Sequence, residues 1–156
     1  MTTDQIMNSH KHFSTKCFND TWVYIDKEDR SAKDNEQMIL LAHASFWHWT
    51  NRDDFTDRER SIGAWILSRV YALVGEINNA RKYAEMSLDA AKNGNIGAYF
   101  IGYAHEAIAR AAMISGDESS KRAHVKEARK LAATIKDDND RGFLEKDLDE
   151  IEKVSD

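Results

Sequence analysis

The sequence predicts an all-α fold that forms one domain over residues 1–156. Apolar residues recur at the helical period of three to four along most of the chain. Proline is absent, although average usage gives about eight in a chain of this length, so no helix is forced to break. Polar turns that contain Gly75, Gly94 and Gly116 separate the periodic segments.

The composition is that of a soluble globular protein, with 42% hydrophobic and 31% charged residues. The formal net charge of −5 repels a phosphate backbone. The one dense basic stretch, from Lys121 to Lys130, includes Glu127 and is better explained as a solvated helix face. We therefore expect no nucleic-acid partner.

The single cysteine, Cys17, cannot form an intramolecular disulfide, which is typical of a reducing compartment. No apolar run approaches the ~18 residues of a membrane span, and residues 1–11 contain no apolar signal segment. These features predict a cytoplasmic protein without membrane contact.

The first two helices are predicted at about residues 4–25 and from about 31 to 50. Thr2 and Gln5 have the spacing of a capping box, and either Ser31 or Asp34 is expected to cap the second helix. The first helix has a stripe of residues at helical spacing: Ile6, His10, Phe13, Cys17, Thr21 and Tyr24. The second is apolar or aromatic on nearly every side, which predicts burial on several sides or contact with a partner chain.

A second capping box, Thr56 with Glu59, begins helix three, which ends at Gly75. Helix four is expected to begin at a cap formed by Asn78 or Asn79 and to end near residue 92. The turn at residues 93–95 separates it from helix five.

Helix five is predicted at about residues 96–115. Its many Ala and Gly residues allow close approach of neighbouring helices, so it is expected to be central. Helix six is predicted at about residues 119–136. Helix seven places Phe143, Leu144, Leu148 and Ile151 on one side and charge elsewhere, as in a terminal capping helix.

The segment around Gly75 recurs around Gly116, 41 positions later. Each copy has a helix with small residues, a Gly, an acidic residue and an Ala-rich helix. The first copy places large, small, aromatic, Gly and Ala positions at Leu67, Ser68, Tyr71, Gly75 and Ala80. The second copy keeps the first four positions, at Ile108, Ala109, Ala112 and Gly116.

This pattern resembles the tetratricopeptide repeat (TPR) family. The resemblance weakens where Ala123 comes two residues late, where no Pro closes either unit, and where the period exceeds the family's ~34 residues. It implies a right-handed stack of about three antiparallel helix hairpins with a C-terminal capping helix. A ferritin-like four-helix bundle is the competing fold, but it requires paired Glu-x-x-His motifs that the sequence lacks.

In TPR proteins the first helix of each hairpin lines a concave groove that binds peptides or partner proteins. By position, the resemblance assigns to this groove Ile62, Trp65, Arg69, Leu73, Tyr103, Glu106, Arg110 and Met113. The candidate ligand-binding residues among them are Trp65, Arg69, Tyr103, Glu106 and Arg110.

Arg69 and Arg110 occupy equivalent repeat positions, and two guanidiniums beside aromatic rings can hold a carboxylate. A peptide C-terminus or an acidic segment is the expected partner. In the alternative interpretation the arginines have a structural role. Glu106 lies four residues before Arg110 and can pair with it within the helix, while Arg69 can pair with Glu106 between helices.

We expect no metal and no cofactor. The six histidines include no His-x-x-x-His pair that would share one helix face. A site would need His10, Cys17 and His43 to meet between helices, and this stays open beside the interpretation that all three are core residues.

No nucleophile elbow or phosphate-binding loop is present, so we expect no catalytic residues and no enzyme. The predicted function is a scaffold that binds a protein or peptide segment in a groove. A small-molecule sensor or an enzyme that uses a cavity between helices is the alternative. The aromatic cluster at residues 46–49 is interpreted as core, with self-association through helices one and two as the second hypothesis.

Overall fold

The computed structural model describes residues 1–153, and over this range the chain forms helices and no strand. The seven helices are α1 (Thr3–Ile25), α2 (Ala32–Thr50), α3 (Asp57–Leu73), α4 (Ile77–Asn93), α5 (Ala98–Ser115), α6 (Glu118–Ala132) and α7 (Asp138–Lys153). The prediction of an all-α fold is confirmed.

Consecutive helices pack in pairs: α1 on α2, α3 on α4, and α5 on α6. Further contacts join α2 to α3, α4 to α5 and α3 to α5, while α7 packs on α5 and α6. Helix α5 therefore contacts helices on several sides, and its small residues allow these helices to approach closely. At Gly102 an added Cβ would lie 2.7 Å from Leu144 of α7, so only glycine permits this close approach.

Local sequence sets the starts of the first three helices. Thr2 with Gln5 and Thr56 with Glu59 form the predicted capping boxes. At α2 the cap is Ser31, whose Oγ accepts from the backbone N–H of Asp34 at 3.1 Å. The Asp34 carboxylate in turn accepts from the Ser31 N–H at 3.0 Å, so Asp34 is the second member of this box and not the cap.

Helix α4 begins earlier than predicted. The N-cap is Glu76 and not Asn78 or Asn79, because the Glu76 carbonyl already accepts from the Ala80 N–H at 3.0 Å. Gly75, with φ of +80°, reverses the chain immediately before this cap. The turn is therefore tighter than the sequence suggested.

Helices α5 and α6 are both shorter than predicted. Gly97 has φ of +101°, which is incompatible with a helix, so α5 begins at Ala98 and not at residue 96. Asp117 caps α6 by accepting from the Ser120 N–H at 3.0 Å. The helix ends at Ala132 because the next turn has i→i−3 bonds, such as Thr134 N–H to Leu131 at 2.9 Å.

The stripe predicted on α1 is only partly buried. Thr21 is its one fully buried residue, whereas Ile6 and Phe13 are 45% and 43% exposed, and Ser14, the other buried residue of α1, lies outside the stripe. Helix α1 packs chiefly on α2 through small side chains, and Ser45 Oγ donates to the Ser14 carbonyl at 2.8 Å. This close contact buries only a narrow face of α1, and the larger side chains of Ile6 and Phe13 stay exposed beside it.

Two other apolar faces differ from the prediction. Helix α2 buries Met38, Ala42 and Ser45 but exposes Leu40 and Trp47, so it is not covered on every side. In α7, Leu144, Leu148 and Ile151 are fully buried, whereas Phe143 is 59% exposed.

Candidate functional site

A cavity of about 800 Å³ lies among α1, α3, α5 and α7. We call it the groove. Its lining is mostly aromatic and apolar: Phe18, Trp22, Ile25, Ile62, Trp65, Leu73, Tyr99, Phe100, Tyr103 and Phe143. Leu73 and Phe143 are partly exposed, so the groove is open to solvent at these two residues.

The structure brings all five candidate ligand-binding residues together. Trp65 and Arg69 of α3 and Tyr103 and Arg110 of α5 line the groove. Glu106 of α5 is fully buried and lies behind them. The spacing of the α5 residues places all three on one face of the helix, and the contact between α3 and α5 supplies the other two.

The Glu106 carboxylate accepts three hydrogen bonds. Oε1 accepts from Arg110 Nε at 2.7 Å and from Arg69 Nη2 at 3.1 Å, while Oε2 accepts from Trp65 Nε1 at 3.2 Å. Both ion pairs considered in the sequence analysis, one within α5 and one between helices, are therefore present.

Electrostatics keep this buried cluster ionised. Burial by itself raises the pKa of Glu106, but the adjacent guanidiniums of Arg69 and Arg110 outweigh burial and hold its pKa below the usual value. For Arg110 burial opposes the charged form, yet the Glu106 carboxylate prevails and raises the pKa of the guanidinium. Glu106 is accordingly an anion bound to two cations at neutral pH.

A second carboxylate, Asp147 of α7, was missed in the sequence analysis. It accepts from the Tyr103 hydroxyl at 3.0 Å and lies 3.5 Å from Arg69 Nη2. Burial raises the pKa of Asp147, Arg69 opposes this shift and Glu106 adds to it. A signal was available, because Asp147 falls at helical spacing among Leu144, Leu148 and Ile151, the buried face of its helix.

Two N–H groups of this cluster have no hydrogen-bond acceptor among residues 1–153. They are Arg69 Nε and Arg110 Nη2, both buried. The nearest carboxylate oxygen to Arg110 Nη2 outside the cluster belongs to the largely exposed Glu150, at 3.9 Å, which is beyond hydrogen-bond distance. Both arginines line the groove, so two residues of its wall carry an N–H group without an acceptor.

The histidines do not assemble with Cys17. His10 Nδ1 lies 3.0 Å from His48 Nδ1, and His43 Nε2 lies 2.8 Å from the Tyr71 hydroxyl. Within residues 1–153 no group of three or more potential metal ligands occurs. The site from His10, Cys17 and His43 that was left open in the sequence analysis is therefore not formed.

A further imidazole pair lies between α5 and α6, with His105 Nδ1 2.8 Å from His124 Nδ1. Burial, the neighbouring His124 and Lys92 lower the pKa of His105 to about 4, so it is neutral at physiological pH. The two residues are 19 positions apart on different helices, and nothing in the sequence indicated that they would meet.

The aromatic cluster of α2 divides between interior and surface. Phe46 packs against Gly63 of α3, and the Trp49 ring stacks on Phe18 at 5.8 Å. Trp47 points outward and is 59% exposed. The interpretation of these aromatic residues as core therefore applies to part of the cluster.

Comparison of the chain with protein-family models, with curated proteins and with solved structures found no match. In the described part of the chain, no helix combines the length and apolar character needed to cross a membrane. The geometry of the groove is therefore the main indication of function.

Proposed function

We propose that this protein is a TPR-like scaffold that binds a protein or peptide segment in the groove. In this proposal three antiparallel hairpins, α1–α2, α3–α4 and α5–α6, form a right-handed stack, and α7 caps its end. The pairwise packing of these helices and the contact between α3 and α5 support the arrangement. The proposed function involves no catalysis, cofactor or nucleic acid, and the proposed location is the cytoplasm.

The observation that supports binding most directly is the groove itself. Its volume of about 800 Å³ is within the range of ligand sites, and it combines an aromatic wall with a few polar groups. Phe143 and Leu73 in its lining are partly exposed, so the groove is open to solvent and a chain can enter and leave it. An open groove favours an extended segment over an enclosed small molecule.

The charges of the site favour binding over catalysis. Glu106 is held by Arg69, Arg110 and Trp65, so its oxygens are already engaged. A carboxylate held in this way is a poor general base because its pKa is low and its lone pairs are occupied. The alternative is a small-molecule sensor or an enzyme that uses this cavity, and peptide selection on the protein tests it as well.

The test is selection of a random peptide library on the immobilised full-length protein, followed by affinity measurement of the selected peptides. We expect micromolar binders that lose at least tenfold in affinity to the variant Phe143→Glu, because burying an aromatic ring contributes about 1.5–3 kcal/mol. The control is Val23→Glu, at an exposed site that does not line the groove. Failure to select any peptide that discriminates these two variants would show the proposal to be wrong.

Self-association is the second candidate, supported by an exposed apolar face on α1 and α2. Ile6, Phe13 and Trp47 are 45%, 43% and 59% exposed. The rings of His10 and Trp47 lie 5.4 Å apart, and those of Phe13 and His48 lie 5.5 Å apart, so the patch is continuous. Exposed Trp residues are enriched at interface hot spots.

Sedimentation of the wild type and of Trp47→Lys tests this candidate. We expect a concentration-dependent dimer that the substitution converts to a monomer. A wild-type monomer at several hundred micromolar would exclude self-association through this face.

A further inference from the structure

We infer that the groove anchors its ligand through uncharged oxygen acceptors, main-chain or amide carbonyls that bind the unpartnered N–H groups of Arg69 and Arg110, and that it disfavours a carboxylate at this position. The inference rests on the proposed function and specifies the chemistry of the partner. It differs from the carboxylate partner expected from the sequence, an expectation that took into account the two guanidiniums, the aromatic rings beside them and Glu106, but not Asp147 or Glu150.

Arg69 and Arg110 supply the hydrogen-bond donors. The side chains of Arg69 and Arg110 are 10% and 11% exposed, and both residues line the groove. Arg69 Nε and Arg110 Nη2 are buried without an acceptor among the described residues. A buried N–H without a partner is costly, so an acceptor that reaches these atoms from the groove, once the side chains that shield them from solvent have moved aside, recovers a free energy that the free protein lacks.

The donors are also fixed in place before a ligand arrives. Arg110 is held through Nε and Arg69 through Nη2, each by the same Glu106 oxygen. The guanidinium of Arg69 also lies 5.2 Å from the centre of the Trp65 ring. Because Trp65 itself donates to Glu106, the aromatic wall and the donors have a defined relative position. Donors positioned in this way lose little entropy on binding.

Charge decides which acceptor is preferred. Glu106 lies within 3.1 Å of the guanidiniums of both Arg69 and Arg110, and Asp147 lies 3.5 Å from that of Arg69, so two negative charges already balance two positive ones. A ligand carboxylate would bring an unbalanced negative charge into a buried site, which is unfavourable. A carbonyl oxygen satisfies the same N–H groups and leaves the charge unchanged.

Two further effects oppose a carboxylate. Glu150 Oε2 lies 3.9 Å from Arg110 Nη2 and would repel an incoming anion. Burial raises the pKa of the Asp147 carboxyl even though Arg69 is close by, so the surroundings already resist negative charge. Both effects act on anions and have little influence on amides.

The partner that matches this chemistry is an uncharged stretch of polypeptide with apolar side chains. A peptide main chain supplies one carbonyl per residue, and Asn or Gln supplies an amide carbonyl. The rings of Trp65 and Tyr103, 5.5 Å apart and nearly perpendicular, form the wall for an adjacent apolar side chain. We therefore expect internal segments to bind better than free C-termini.

The experiment uses a matched pair of probes, N-acetyl-phenylalaninamide and N-acetyl-phenylalanine, which differ in one amide and one carboxylate. Binding to the full-length protein is followed by ¹⁵N NMR of the arginine Nε–H and tryptophan indole signals. We expect the amide to bind at least tenfold more tightly and to shift the signals of Arg69 and Trp65. The peptides selected on the immobilised protein are measured in parallel in two forms. One form has a C-terminal amide next to the anchoring residue, and the other has a free C-terminal carboxylate there.

A variant pair links this preference to the donor. Arg69→Lys keeps the charge but removes Nε–H, so the amide probe should lose about tenfold in affinity. Arg122→Lys is the control, at an 82% exposed side chain of α6 outside the groove. Thermal unfolding of both variants confirms that they are folded, and the NMR comparison on the wild type does not depend on either.

The outcomes separate this inference from the proposed function. Tighter binding of the acid, equal binding of both probes, or selected peptides that bind without shifting the Arg69 Nε–H signal would overturn the carbonyl anchor while the groove stays a peptide site. Failure to select any peptide, with no binding of either probe, would overturn the proposed function together with the inference.

Discussion

The substitution Glu106→Gln tests whether the ion cluster stabilises the fold. Gln has nearly the same shape as Glu, so packing is preserved while the charge is removed. Its carbonyl still accepts from Arg110 Nε, but its amide group replaces the oxygen that accepts from Trp65 Nε1–H. Two donors then face each other in a fully buried position.

The magnitude follows from burial and from the remaining partners. Removing one member of a buried ion pair costs about 3–5 kcal/mol because the other charge is left without compensation. Asp147, 3.5 Å from Arg69, still balances one of the two guanidiniums. We therefore expect the lower end, a loss of about 3 kcal/mol in the free energy of unfolding. For a chain of this size the melting temperature should fall by about 6–12 °C.

Urea denaturation followed by circular dichroism measures this loss, with Glu145→Gln as the matched control. Glu145 is exposed in α7, so its substitution should change the free energy of unfolding by less than about 0.5 kcal/mol. If Glu106→Gln also costs less than about 1 kcal/mol, the cluster does not hold α3 and α5 together, and the electrostatic argument for the site is wrong.

Two further predictions concern packing and pH. Gly63→Ala should lower the free energy of unfolding by about 1–2 kcal/mol, because the added Cβ would overlap the Phe46 ring. Gly142→Ala lies in an open part of α7 and should raise the free energy of unfolding by about 0.5–1 kcal/mol. Chemical denaturation measures both changes. His105 has a pKa of about 4 in the folded protein against about 6.5 when unfolded, so the unfolded state binds more protons between these values. The free energy of unfolding should therefore fall by about 2 kcal/mol from pH 6.5 to pH 4, and His105→Gln should flatten this dependence in denaturation curves measured across that range.

Features determined by short stretches of sequence were predicted well. The capping boxes at Thr2 and Thr56 depend on residues three positions apart, and both are present. The starts of α4 and α5 were misplaced because they follow the backbone conformations of Gly75 and Gly97, which the residue type permits but does not specify. Composition thus located the turns without defining their geometry.

The candidate site likewise combines contacts that could be predicted from the sequence with contacts that depend on tertiary structure. Glu106 and Arg110 are four residues apart on one helix, so their pairing could be anticipated, and the repeat pattern placed Arg69 opposite them. Asp147 reaches the cluster only because α7 packs on α5, which is a tertiary contact. The unpartnered N–H groups depend on side-chain geometry at the level of single atoms, and no sequence pattern reports that.

The structural and binding interpretations of Arg69 are compatible, because different atoms of one guanidinium serve each role. Nη2 bonds Glu106 and lies near Asp147, which links α3 to α5 and α7. Nε is the unpartnered donor beside the groove. Arg69→Ala removes both and should lower stability and affinity together, whereas Arg69→Lys keeps a positive charge that can still donate to Glu106 but has no counterpart of Nε–H. A loss of affinity in Arg69→Lys that exceeds its loss of stability therefore assigns Nε to the ligand, and equal losses assign the whole side chain to the fold.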